Sequence, residues 1–334
     1  MSSSGSVRRF ECTPWFTILK VELQRLRSER VRRFYRGGAG IGRLYGRPEE
    51  DGNLPEDWLG SVTVAANPKS DNPYEGLSRL EDGSLLRDAI AGDPVGWLGA
   101  PHVARFGETT GLLVKVLDAA ERLPVHAHPN GVFAASHLGS PFGKTEAWII
   151  LETREPDAEV WVGTAASVDA ATYRTWVERQ DVDTLLSSLN RVEIAAGDTI
   201  YVPAGIPHAI GAGILLVELQ EPTDFSIVCE YDGFPIRPAD AHLGLGWEEA
   251  LSALDLLPHV PVRRLPEEAR RFFWADDVPQ AAGRFAVLLI VGGDGRIDGE
   301  PVRAGDAFAV PASARPLHVE GDLRVLRCLA PDPA

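Results

Sequence analysis

The chain has 334 residues, 44% hydrophobic and 24% charged, the make-up of a soluble globular protein long enough for one large core or two to three smaller ones. Its formal net charge of -15 excludes a general nucleic-acid or anionic-membrane binder, which most of the surface would repel, and favours a small-molecule partner. Three widely spaced cysteines, Cys12, Cys229 and Cys328, make no CxxC pair, and no run approaches the ~18 to 20 apolar residues of a membrane span, so a reducing cytoplasmic location is expected.

Nine basic residues fall among the first 36. WFTILKV runs into charge without a small-residue cleavage site, so no secretory signal is read, and Glu11, Glu22 and Glu29 argue against an organellar leader. Residues 1–30 are expected to be a poorly ordered extension, with a short amphipathic helix in ILKVELQRLRSER. GGAGIG lacks the GxGxxG and GK[ST] contexts of phosphate loops and reads as a tight turn at a sheet edge. PEDWLGSVTV (55–64) reads as a turn into a strand, 67–76 as a loop, and 77–106 as helices broken by glycine and proline.

GLLVKVLDA (111–119) reads as a buried strand leading to LPVHAHPN. With a strand over Val125–Pro129, the period of two points His126 and His128 to one face, where both imidazoles reach one ion. Glu146 follows in GKTEAWIILE and His208 in VPAGIPHAIG, both attached to strands. Two His from one strand, a carboxylate and a distant His hold Zn²⁺ or another divalent first-row metal with positions open for water or substrate. His102, His137, His242 and His259 read as structural histidines.

A helical segment at 167–190 precedes short strands with Gly/Pro turns, from RVEIAAGDTIYVPAGIPHAIGAGILLVELQ onward, the pattern of a jelly roll of the cupin type. The expected organisation is mainly β: a metal-binding cupin domain over 31–245 with a helical insertion, a helical connection over 246–279, and a second, degenerate jelly roll over 280–334. GD-x-x-x-VPA occurs at 197–204 and again at 305–312. His208 lies ten residues after Asp198, but Pro316 lies ten after Asp306, so the second roll is expected to be metal-free, with His318 outside any site.

LPVHAHPN, GKTEAWIIL and GDTIYVPAGIPHAIGAGILLVELQ resemble, in order and spacing, the metal-binding motifs of type I mannose-6-phosphate isomerases, and the resemblance spans roughly 35–330. It implies a zinc-dependent cupin with a helical insertion and a second jelly roll, with metal ligands at His126, His128, Glu146 and His208. The family usually has glutamine at the position of His126. It also implies a substrate role for Lys144, one of only four lysines, and a proton-transfer role for Glu218. Where family members commonly have serine, Pro124 stands, and their arginine after the QxxSD-like segment is absent; Arg237 is the candidate replacement.

The activity so implied is interconversion of mannose 6-phosphate and fructose 6-phosphate through a cis-enediol. Two alternatives stay open: the same isomerisation of an unphosphorylated or differently modified sugar, and a sugar-binding cupin without turnover. The sequence carries no signal of oligomeric state.

Overall fold

The computed structural model describes residues 22–47, 51–66 and 70–333. Its framework is three antiparallel sheets. The first runs Arg30–Val31, Glu56–Leu59, Leu113–Ala119, Ile214–Gln220, Glu146–Thr153, Thr199–Val202 in spatial order. The second runs Ile227–Val228, His126–Ala127, His208–Ile210, Glu159–Thr164, Leu189–Glu193. The third is built on the long hairpin Ala286–Ile297 and Val319–Leu329, flanked by Gln24–Arg25, Glu300–Arg303, Ala307–Val310 and Trp274–Asp276.

Strand alternation explains how the first sheet is buried on both faces. Leu117, Ala119, Trp148, Ile150, Ile214 and Leu216 point one way and pack with Val160, Val162, Val192 and Ile210 of the second sheet, closing a cupin jelly roll. Val114, Val116, Ala147, Val217 and Leu219 point the other way, against Val287, Leu289 and Ala309 of the third sheet and Leu86, Ile90 and Trp97 of the helical insertion. Each Val, Leu or Ile among them, fully buried, contributes ~1.5–3 kcal/mol of transfer free energy. Charged residues on the inward face therefore stay only if paired.

Several expectations are corrected in detail. Residues 1–21, with Cys12, lie outside the described residues, but 22–30 are part of the folded body. Gln24–Arg25 is a strand on Ala307–Val310 and not a helix, because Arg25 pairs with Asp306 at 2.7 Å and lies over the Phe308 ring while Leu26 is buried. GGAGIG opens a short helix, Gly40–Leu44: the buried Asp118 carboxylate accepts from Gly40 N at 2.6 Å, and a Cβ at Gly40 would meet Asp118 at 2.8 Å. The strand in 55–64 is confined to Glu56–Leu59.

Three short helices, Leu86–Gly92, Pro94–Leu98 and Ala100–Phe106, fall within 77–106, and two, Ala170–Arg179 and Val182–Ser187, within 167–190. The connection over 246–279 is mostly irregular. It holds only the helix Trp247–Leu251 and a 3-10 turn at Glu267–Arg271, and Trp274–Asp276 already belongs to the third sheet. Cys229 and Cys328 are buried free thiols. Among the described residues no helix is long and apolar enough to cross a membrane.

Candidate active site

The second sheet brings the histidines together. His126 pairs directly with His208 across antiparallel strands, so their side chains share a face, and His128 follows two residues on with the same orientation. Ligand atoms of all three lie within 4.8 Å of one another. Each ring is aimed by a backbone carbonyl that takes its Nδ1–H: Pro124 O for His126 at 2.8 Å, Phe225 O for His128 at 2.7 Å and Ile206 O for His208 at 2.8 Å. That tautomer leaves every Nε2 with a lone pair, and the Nε2 atoms of His126 and His208 are only 3.0 Å apart.

Glu146 completes the cluster from the first sheet. Its Oε2 is 3.1 Å from His128 Nε2 and its Oε1 3.2 Å from His208 Nε2. Trp148 Nε1–H donates to Oε1 at 3.1 Å, and the buried Oε2 faces the Lys144 ammonium at 3.1 Å. Imidazole lone pairs crowded at about 3 Å are what a cation-binding donor set looks like, so the three histidines could hold a divalent metal, with the Glu146 carboxylate 3.1 and 3.2 Å from two of them.

Electrostatics agree. Burial, reinforced by Lys144, lowers His128 to about 3, and burial together with His208 and His128 holds His126 well below the ordinary imidazole range. The His126 and His128 rings are therefore neutral near pH 7, the form that can ligate a metal. Burial alone would raise Glu146, but Lys144 and the histidines hold it well below the usual carboxylate range.

Lys144 is buried, with Nζ 2.9 Å from His128 Nε2 and 3.1 Å from Glu146 Oε2. Its loop is clamped by Glu221, whose carboxylate accepts from Gly143 N at 3.1 Å and Thr145 N at 2.7 Å. Glu218 sits on Ile214–Gln220. That strand pairs with Leu113–Ala119 and Glu146–Thr153. Register places Trp58, Lys115, Glu218 and Trp148 in one row across four strands, all on the inward face.

A cavity of about 40 Å³ beside the histidines is lined by Arg33, Glu56, Lys115, Pro124, His126, Lys144, Glu218 and Ser226, among others. Pro124 stands in its wall and offers no donor. Arg237 does not reach the cavity: its guanidinium is exposed and pairs at 2.6 Å with Asp240, one helical turn away. The fork of two donors to a carboxylate three residues on is satisfied at the surface, which leaves nothing to draw Arg237 inward.

Three charged wall residues, Arg33, Glu56 and Lys115, and Asp224 behind Arg33 escaped the sequence reading. Lys115 Nζ lies 3.0 Å from Glu218 and 3.8 Å from Glu56, and Arg33 forks onto Asp224 at 2.8 and 2.9 Å with Nε 3.1 Å from Glu56. Burial opposes these charges, but Glu218 and Glu56 raise Lys115, Arg33 and Lys115 lower Glu56, and Arg33 drives Asp224 far below the carboxylate range. The one signal for Lys115 was its place, a scarce lysine inside the apolar run LLVKVL.

No family model matches the chain. It is 41% identical over 127 residues to the mannose-6-phosphate isomerase ManA of Bacillus subtilis (strain 168), which covers 37% of this chain and 39% of the relative. It is 33% identical over 183 residues to the mannose-6-phosphate isomerase of Streptococcus mutans serotype c, covering 53% and 52%. The chain thus spans about half, or less, of the length of these curated relatives.

In fold it is similar to the mannose 6-phosphate isomerase structure from Bacillus subtilis, with a TM-score of 0.68 at 22% identity over 92% of this chain and 99% of that one. It is similar also to a mutant phosphomannose isomerase from Salmonella typhimurium, with a TM-score of 0.65 at 18% identity over 92% and 100%. The chain is thus similar over part of its length to mannose-6-phosphate isomerases in sequence, and over nearly all of it to their structures in fold.

Proposed function

We propose that the protein is a metal-dependent aldose–ketose isomerase that interconverts mannose 6-phosphate and fructose 6-phosphate. The observation that carries the reading is the convergence of three histidine Nε2 atoms, with the Glu146 carboxylate against two of them, beside a cavity that also holds the buried carboxylate of Glu218. The similarity to mannose-6-phosphate isomerases supports the sugar.

His126, His128, Glu146 and His208 would hold the ion, zinc by the chemistry of the donor set. When bound, a divalent cation supplies Lewis-acid charge for the oxygen that becomes negative in an enediolate. Glu218 takes the proton from C2 and returns it to C1, while a second proton passes from the C2 hydroxyl oxygen to the C1 oxygen, so that the aldehyde becomes a hydroxyl and the C2 hydroxyl a ketone. Lys115, 3.0 Å away, holds the Glu218 carboxylate in place on the buried face. Lys144, anchored between Glu146 and Glu218, donates to a substrate hydroxyl.

The enclosed space is far below the several hundred Å³ of a small-molecule site, so sugar binding widens the cavity. Isomerisation in deuterium oxide tests the reading. It predicts fructose 6-phosphate as product with solvent deuterium at C1; no ketose, or transfer without any exchange in repeated turnovers, would count against an enediol moved by Glu218.

An unphosphorylated sugar is the second reading, favoured by Pro124 in the wall and by Arg237 outside it. Turnover of free mannose with none of mannose 6-phosphate would select it.

A further inference from the structure

We propose that Arg33 and Ser226 form the subsite that holds the anionic end of the substrate; this rests on the isomerase reading and names the specificity of the same cavity. The cavity has three cations in its wall, and their contacts differ. Lys144 is engaged at the histidine end, on His128 and Glu146. Lys115 is engaged on Glu218 at 3.0 Å and stands 5.1 Å over the Trp58 ring. Ion-pair contacts run in alternation from Glu146 through Lys144 (3.1 Å), Glu218 (4.0 Å), Lys115 (3.0 Å) and Glu56 (3.8 Å) to Arg33 (3.1 Å). Arg33 is the cation at the other end of this chain from the metal ligands, where the far end of a sugar bound by its first two carbons would lie.

A guanidinium carries five N–H donors. The fork to Asp224 takes one on each Nη, and Nε faces Glu56, so each Nη keeps a second donor that neither carboxylate uses. Asp224, which also accepts from Ala66 N at 2.8 Å, holds the fork rigid. A pre-oriented arginine of this kind suits the planar, multidentate recognition of phosphate oxygens.

Ser226 adds a hydroxyl in the same wall. Its nearest polar contact is His128 Nδ1 at 3.5 Å, and that nitrogen already donates to Phe225 O at 2.7 Å, so the hydroxyl is left to serve a ligand. Neighbouring Pro124 has neither a hydroxyl nor an N–H to offer. The anion contacts are thereby supplied from the Arg30–Val31 side of the first sheet and from the Ile227–Val228 edge of the second, not from the exposed Arg237.

The test compares metal-loaded unmutated protein, Arg33→Lys and Ser226→Ala in two measurements. One is the ratio of kcat/KM for mannose 6-phosphate to that for free mannose, and the other is the rise in Tm given by inorganic phosphate. A Lys at 33 keeps a charge for Asp224 but loses the fork. The ratio is expected to fall about tenfold or more in Arg33→Lys and several-fold in Ser226→Ala, with the phosphate-induced rise reduced in both. Folded variants in which ratio and rise are both unchanged would overturn the proposal. If Arg33→Lys fails to fold, Ser226→Ala decides by the same two readouts. If the unmutated protein isomerises neither sugar, the isomerase reading fails by itself, and the phosphate-induced rise, lost or kept in the variants, still decides the subsite.

Discussion

Lys115 Nζ and Glu218 Oε1 face each other at 3.0 Å across a register pair of the first sheet, with both side chains buried on the cavity face. Removing one partner leaves a buried charge with only a longer contact, Glu56 at 3.8 Å for Lys115 or Lys144 at 4.0 Å for Glu218, so the cost lies below or near the about 3–5 kcal/mol of an unpaired buried charge. Lys115→Met and Glu218→Gln are each expected to lose stability on that scale in urea unfolding, and the double variant less than the sum of the two. Additive losses would show that the pair is not coupled. Glu218→Gln is also expected to lower kcat by at least about 10².

His128→Ala and His208→Ala are expected to lose the bound metal, measured by elemental analysis of dialysed protein. Both rings present Nε2 to Glu146 at 3.1 and 3.2 Å, and no other imidazole is placed to substitute among the described residues. His126→Gln is expected to keep metal binding, because an amide oxygen at that position is still a donor.

Stability is expected to fall on the acid side through the Arg33–Asp224 fork. Arg33 depresses the Asp224 carboxyl in the folded state, so the pair's contribution is fully present above the unfolded carboxylate value, about 4, and drains away as pH falls below it. Urea midpoints measured from pH 3 to pH 6 are expected to rise with pH, and the slope to be shallower in Asp224→Asn. An equal slope in the variant would assign the acid sensitivity elsewhere.

Gly143→Ala is expected to disable the site without touching a charged group. A Cβ there would stand 2.5 Å from Pro129 O and 2.6 Å from the Asn130 carbonyl carbon, both backbone, so the loop carrying Lys144 and leading to Glu146 must shift. A loss of at least about tenfold in kcat/KM with weakened metal binding is the expected outcome.

Arg237→Ala, by contrast, is expected to leave kcat/KM within about twofold, since an exposed ion pair three residues apart contributes little. Its selection from sequence shows where such reading stops. HAH, GKTE and VPAGIPH were legible because each binds its meaning into a few adjacent residues. The period of two within a strand already orients His126 and His128 together. Arg33, Glu56, Lys115 and Asp224 lie far apart in the chain, and only strand pairing and the path of the loops make them neighbours. Proximity in sequence to the missing arginine pointed to Arg237, whereas the wall is completed by Arg33, nearly two hundred positions away from its partner Asp224. The N-terminal strand was missed for the same reason, because Gln24–Arg25 is ordered by Asp306 and Phe308 at the far end of the chain.

The most direct test is a coupled isomerase assay on mannose 6-phosphate with metal-stripped protein, the same protein reconstituted with zinc, and His128→Ala treated identically. Activity absent after stripping, restored by zinc in the unmutated protein and not restored in His128→Ala is the predicted result. Undiminished activity in the stripped protein, or its full recovery in His128→Ala, would contradict an isomerase centred on His126, His128, Glu146 and His208.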